Sequence, residues 1–168
     1  MSYDVDMRDV KFQLFEWLPT EKLLEAPRFA DWDKENLEMV LDEGLKIAKE
    51  QMAPSNVEGD RVGAQWSDGQ GGWLAMAIRP EAGGMGVPEV IGTACTEFFS
   101  GANVSLCLTM MLTRGAAMMI DRSGTDLMRG LFLDKLVTGE WSGTMCLTEP
   151  QAGSDVGASK TKAVPQDD

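Results

Sequence analysis

Histidine is missing from this sequence altogether. That removes the Ser-His-Asp triad, HExxH zinc sites and every imidazole acid–base mechanism from the chain. Cysteine is scarce. Cys95, Cys107 and Cys146 form no CxxC pair and stand among apolar neighbours, which reads as buried free thiols in a reducing compartment, not a disulfide framework or a metal site. Positive charge is short too, with 15 Lys+Arg against 27 Asp+Glu and a formal net charge of −12. A phosphate-backbone binder needs a basic face to release counterions, so nucleic acid is not an expected partner. Met1–Val10 carries aspartates and no apolar h-region, which argues against export and for a cytoplasmic location. The most apolar stretch, Val104–Ile120, is interrupted by Ser105, Thr109, Thr113 and Arg114. It falls short of the ~20 apolar residues of a membrane span, so the expectation is a buried helix of a soluble protein without membrane insertion. Internal repeats and low-complexity segments are absent.

What remains is an ordinary globular composition. The 168 residues are 43% hydrophobic and 25% charged, close to the averages of ~45–50% and ~25% for folded domains. At ~100–150 residues per domain the length suits one domain or slightly more.

The pattern along the chain is helical for most of its length. Thr20 is placed to cap a short turn, Glu21–Glu25, which Pro27 stops. A firmer helix starts near Asp33, with Leu37, Val40, Leu41, Leu45, Ala48 and Met52 on one stripe, and Pro54 closes it. Pro54 to Gly72 turns to Gly, Ser, Asp and Gln, a loop of unusual length. A short helix is expected over Gly72–Ile78, then a turn through Gly83-Gly84-Met85-Gly86, whose glycines allow positive φ and close backbone approach. Pro88 opens a helix to about Phe99, Asn103 caps the next to about Asp121, and Thr125 starts a third to about Val137. Glu140–Leu147 reads as a strand, followed by a turn at Thr148-Glu149-Pro150. The divisions are thus an N-terminal extension (1–32), a helical domain (33–139) and the start of a β-domain (140–168). One or two strands are too few for a self-standing sheet, so the sequence reads as cut.

Chemistry concentrates in Met145-Cys146-Leu147-Thr148-Glu149-Pro150-Gln151-Ala152-Gly153-Ser154-Asp155. A strand would deliver the Thr148 hydroxyl into a sharp turn, and Gly153 and Ser154 follow with bare backbone and neutral donors. Such a loop can hold a pyrophosphate without lysine. Short Gly/Ser/Asp stretches are also common as plain turns, and the residues alone favour that blander reading. Phe98, Phe99, Leu106, Leu108, Met110, Met111, Met118 and Met119 read either as the floor of an alkyl-chain tunnel or, more often for such a stripe, as core. The Gly83–Gly86 turn lacks the Lys-Ser/Thr of a phosphate loop, and the five tryptophans read as packing residues.

The segment Met145–Lys162, with Thr-Glu-Pro, Ala-Gly-Ser-Asp and Lys160-Thr161-Lys162, resembles the flavin-loop signature of the acyl-CoA dehydrogenase family. Gly72-Trp73 and Pro80-Glu81-Ala82-Gly83-Gly84-Met85-Gly86-Val87-Pro88 stand upstream as in that family. The resemblance covers about residues 33–164, and the opening residues look like those of a longer bacterial branch. It implies a mainly α fold, the family's N-terminal helical domain followed by the first strands of a truncated β-domain. It implies FAD as cofactor, with the backbone of Met145 and Leu147 and the Thr148 hydroxyl at the isoalloxazine ring and Cys146 among the cofactor-binding residues. Gly153 and Ser154 would face the pyrophosphate, and Ser154 also the acyl-CoA substrate. It further implies oxidation of an acyl-CoA to the trans-2-enoyl-CoA, electron-transfer flavoprotein as acceptor, and a homo-oligomer. The proton-abstracting carboxylate of the family lies downstream, so no catalytic residue is assigned here; Glu149 is weighed as a base or, more simply, a turn-stabilising carboxylate. Two departures stand out. Only Val62–Gly71 occupies the place of a further helix, and the chain ends at Asp168 before the rest of the β-domain and the C-terminal bundle. A non-catalytic helical interaction module is the alternative function.

Overall fold

A computed structural model describes residues 3–56, 73 and 75–165, and among these the chain is helical with no β-strand. Helix α1 (Met7–Lys11) is capped by the Asp6 carboxylate, which accepts the N–H groups of Arg8 and Asp9, and it widens into a π-helical turn, Phe12–Trp17. Two 3-10 turns follow, Thr20–Glu25 and Pro27–Phe29. Thr20 does not cap the first. Pro19 holds that position and the Thr20 side chain is buried, because Thr20 already lies inside the turn while a capping residue stands just outside it.

Helix α2 (Lys34–Ile47) begins where the pattern placed it: Asp33 is extended and its carboxylate accepts the Asn36 N–H at 2.7 Å. Pro54 does not end this helix. A π-helical turn, Ala48–Met52, carries it into helical residues 53–56. There the Ala53 N–H reaches Ala48 O, five residues back, and the wider turn relieves the clash a proline ring makes in a regular α-helix. From residue 57 on, the expected long loop and the shortened Val62–Gly71 stretch lie outside the described residues. Of the helix expected over Gly72–Ile78, Trp73 is helical, but 75–77 form a turn closed by Ile78 N–H to Ala75 O at 3.0 Å.

The connector that follows shows why it needs its glycines. After the 3-10 turn Pro80–Ala82, Gly83 and Gly86 take φ of 84° and 69°, and a Cβ on Gly84 would stand 2.0 Å from Ile78 O. Helix α3 (Glu89–Ala102) then leads through buried Asn103 into α4 (Val104–Ser123). The Asn103 carboxamide oxygen caps α4 by accepting the Leu106 N–H at 3.1 Å, while its Nδ2 donates to Ser55 Oγ at 3.1 Å. Thr125 caps α5 (Asp126–Met128), which continues through a π-helical turn, Arg129–Leu133, into α6 (Asp134–Val137).

Two apolar clusters hold these elements. The first joins Leu14 of the N-terminal arm, Leu37 and Leu41 of α2, and Ile91, Cys95, Phe98 and Phe99 of α3. Gly44 lets α2 and α3 approach, since a Cβ there would stand 2.9 Å from Cys95 Sγ. The second gathers Ala75 and Ile78 with Ala117 and Ile120 of α4 and Leu136 and Val137 of α6.

Helix α4 departs from the expectation of a buried helix. Only Cys107, Thr113, Ala117 and Ile120 along it are buried. Val104, Leu108, Met111, Gly115 and Met119 form a continuous exposed stripe at helical spacing. The helix is also longer than expected, and by length and composition alone it is apolar enough to cross a membrane. The reason for the exposure is geometric. Neighbouring elements cover one side of α4, and its apolar residues run round more of the cylinder than they reach.

Candidate functional site

The helices hand over to the loop at Gly139, whose φ of 76° reverses the chain. Trp141 N–H bonds Lys135 O at 2.9 Å, and the Trp141 ring lies 5.0 Å from Lys135 Nζ and 6.1 Å from the Phe132 ring. Two residues on, the chain lies directly on α4. Gly143 N–H donates to Thr113 Oγ1 at 3.1 Å, and the buried Thr113 hydroxyl donates in turn to Thr109 O at 3.0 Å. Gly143 therefore sets where the following loop starts, along the edge of the exposed α4 stripe. No candidate residue named from the motif pointed to this contact. A glycine inside an apparent strand was the available signal, because such a glycine often marks close backbone approach.

Beyond Gly143 the strand expected over Glu140–Leu147 is absent. Residues 143–148 have no regular structure, and no ladder pairs them among the described residues. A strand exists only through hydrogen bonds to a neighbour, so apolar alternation without a partner does not make one. Glu149 and Ala152 then close a tight turn, each N–H donating to the other's carbonyl at 3.0 Å. A 3-10 turn, Val156–Ala158, brings the chain back so that Lys160 N–H and Thr161 N–H donate to the Glu149 carboxylate at 2.8 and 2.9 Å. Gln151 Nε2 also donates to it. The Thr161 side chain and these two backbone donors hold the Glu149 carboxyl down at about 2.

Met145, Cys146, Leu147 and Thr148 are all exposed, as are Gly153 and Ser154. Cys146 thus differs from the expected buried thiol, whereas Cys95 and Cys107 are buried. The physical reason is the same missing ladder: no paired segment covers residues 145–148 among the described residues. A Cβ on Gly153 would meet nothing within 4 Å. Thr148 and Ser154 engage in no side-chain hydrogen bond among the described residues. The apolar set expected as tunnel or core divides. Phe98 and Phe99 are core, Leu106, Met110 and Met118 are part-buried against the two clusters, and Leu108, Met111 and Met119 face outward on α4.

The helical bundle thus passes its chain across α4, by way of Gly143, into an open Gly/Ser loop. Residues 34–140 match the family model for the acyl-CoA dehydrogenase N-terminal domain. The chain belongs to the acyl-CoA dehydrogenase family. It is 36% identical to 3-methylmercaptopropionyl-CoA dehydrogenase of Ruegeria pomeroyi, over all of this chain and 31% of that protein. It is 34% identical to a butyryl-CoA dehydrogenase of Syntrophomonas wolfei and 34% to a broad-specificity linear acyl-CoA dehydrogenase of Mycobacterium tuberculosis, each over 99% of this chain and 30% of the relative. The chain therefore spans about a third of the length of the curated relatives it matches. The first alignment runs over 187 residues against 168 here, so that relative carries positions without a counterpart in this chain.

Proposed function

We propose that this chain supplies the N-terminal domain and one wall of the FAD site of an acyl-CoA dehydrogenase that oxidises an acyl-CoA to its trans-2-enoyl-CoA. The observation that supports it is the open loop 145–154, anchored by Gly143 beside the outward Met/Leu stripe of α4. The donor set suits a flavin dinucleotide. Among the described residues the Thr148 and Ser154 hydroxyls have no partner and residues 145–148 offer unpaired backbone, and Gly153 leaves room where a side chain would stand. Neutral donors of this kind hold a ring edge and a pyrophosphate without a cationic side chain.

Within this reading Met145, Cys146, Leu147 and Thr148 hold the ring, and Gly153 and Ser154 hold the pyrophosphate. Ser154 also meets the substrate's pantetheine arm. FAD supplies the two-electron acceptor when bound. Leu108, Met111 and Met119 lie under the alkyl chain and exclude water from it. No residue here takes the proton-abstracting role. Electrons pass to electron-transfer flavoprotein, and the complete enzyme is a homo-oligomer.

The test uses the full-length protein, reconstituted with FAD and assayed for acyl-CoA-driven flavin reduction. Thr148→Val and Ser154→Ala should each weaken FAD retention, by ~1–3 kcal/mol for a buried acceptor left without its donor, while Ser159→Ala changes little. Full-length protein that takes up no FAD would sink the reading.

A further inference from the structure

The loop that follows Gly143 returns on itself without a β-ladder. No backbone–backbone hydrogen bond joins residues 145–152 to 159–165 among the described residues. One side chain bridges them instead. Glu149 presents one carboxylate oxygen to each of two successive N–H groups, Lys160 at 2.8 Å and Thr161 at 2.9 Å, across 11 and 12 residues of sequence. The same residue's backbone pairs with Ala152 in both directions. Glu149 thus sits at the crossing of two closures. Its backbone closes the tight turn ahead of Gly153 and Ser154, and its side chain closes the wider loop that contains them.

Thr148 immediately precedes this crossing and Ser154 lies inside the wider loop. We propose that Glu149 is the positioning residue of the flavin-facing loop, fixing the separation of the Thr148 and Ser154 hydroxyls by tying the loop's entry to its exit. This inference rests on the flavin reading above. It favours, of the two readings weighed for Glu149, the turn carboxylate over the base. Both carboxylate oxygens accept aimed donors, which favour the ionised form and so oppose uptake of a substrate proton. The depressed carboxyl, at about 2, agrees with that geometry.

The substitutions follow from donor and acceptor count. Glu149→Gln keeps the shape but opposes an NH2 group to one of the two N–H donors. Glu149→Asp keeps the charge but is one methylene shorter, so it reaches one N–H and not both. The experiment takes the full-length protein and both variants, stripped of FAD and then titrated with FAD. Four quantities are read: amide exchange at Lys160 and Thr161 without FAD, the FAD dissociation constant, the absorbance band of the bound flavin, and the thermal midpoint of the stripped protein. Glu149→Gln should exchange at least tenfold faster at those two amides and bind FAD at least tenfold more weakly. Its bound flavin should absorb at a shifted position, and the stripped protein should keep its thermal midpoint. Glu149→Asp should fall between Glu149→Gln and the parent. Unchanged exchange overturns the clamp. Faster exchange with parental FAD affinity and parental spectrum overturns its role toward the flavin, as does a thermal midpoint that falls in step with affinity. A parent protein that binds no FAD instead sinks the functional reading itself, while the exchange data still report on the clamp.

Discussion

Gly143 and Ala116 approach so closely that a Cβ on residue 143 would stand 2.6 Å from the Ala116 Cβ. The same residue's N–H is held by Thr113 one turn earlier on α4. These two contacts transfer the position of the buried side of α4 to a loop that has little packing of its own.

Replacing Gly143 by alanine should therefore destabilise the chain although it lowers the entropy of the unfolded state. The entropic gain is ~0.4–1 kcal/mol, while forcing a methyl into a filled site costs about 1–3 kcal/mol. A Cβ 3.3 Å from the Thr113 backbone leaves little room to relieve the clash by moving a side chain alone. Urea unfolding should show a net loss of about 1–2 kcal/mol. Equal or greater stability in Gly143→Ala would mean that residue 143 does not rest on α4.

The Glu149 clamp should survive mild acid. Its carboxyl lies at about 2 in the folded chain against an ordinary value of 4.5. A depressed folded value means that the stabilisation is fully present above pH ~4.5 and is lost as pH falls toward ~2. Following the amide shifts of Lys160 and Thr161 by NMR during acid titration should give a midpoint near 2. A midpoint near 4.5 would show the carboxylate free in solvent.

The three thiols should separate by reactivity. Burial pushes the Cys95 thiol up to about 12, so almost none is thiolate at pH 8. Cys107 is buried and accepts the Ser100 hydroxyl at 3.2 Å, while Cys146 is exposed. A chromogenic disulfide reagent at pH 8 should titrate one thiol quickly and the other two only on unfolding. Protection of Cys146→Ser from the fast phase identifies it, and a fast phase that persists in that variant contradicts the assignment.

Asn103→Ala should remove a cap and a cross-link together. Losing an N-cap costs ~1 kcal/mol, within a range of 0.5–2, and the Nδ2 bond to Ser55 adds ~0.5–1.5 kcal/mol. A combined loss of about 2 kcal/mol in urea unfolding is expected. Asn103→Asp keeps the capping acceptor for Leu106 and gives up the donor to Ser55. If Asp and Ala prove equally destabilising, the cap contributes nothing.

Much of the helical domain is set by local physics and is readable from the chain. Asp33, Asn103 and Thr125 each carry a short polar side chain ahead of an apolar period, and each accepts an N–H of the helix it opens. Gly83, Gly84 and Gly86 mark a turn that no side chain would fit, and the structure uses them for positive φ and for contact with Ile78. The loop signature and its order after the helices are likewise properties of sequence spacing, and the matched family model covers the helices ahead of it. Burial and pairing are different, because they depend on what comes close from elsewhere in the chain. Periodicity marks α4 as apolar but not how much of it its neighbours cover, so Leu108, Met111 and Met119 stay outside. Alternation makes Glu140–Leu147 resemble a strand, but a strand is a relation between two segments, and no second segment pairs with it among the described residues. The contacts of Gly143 with Thr113 and of Glu149 with Lys160 and Thr161 span 30, 11 and 12 residues. No local pattern encodes such closures; only the folded path of the chain brings those donors and acceptors within reach.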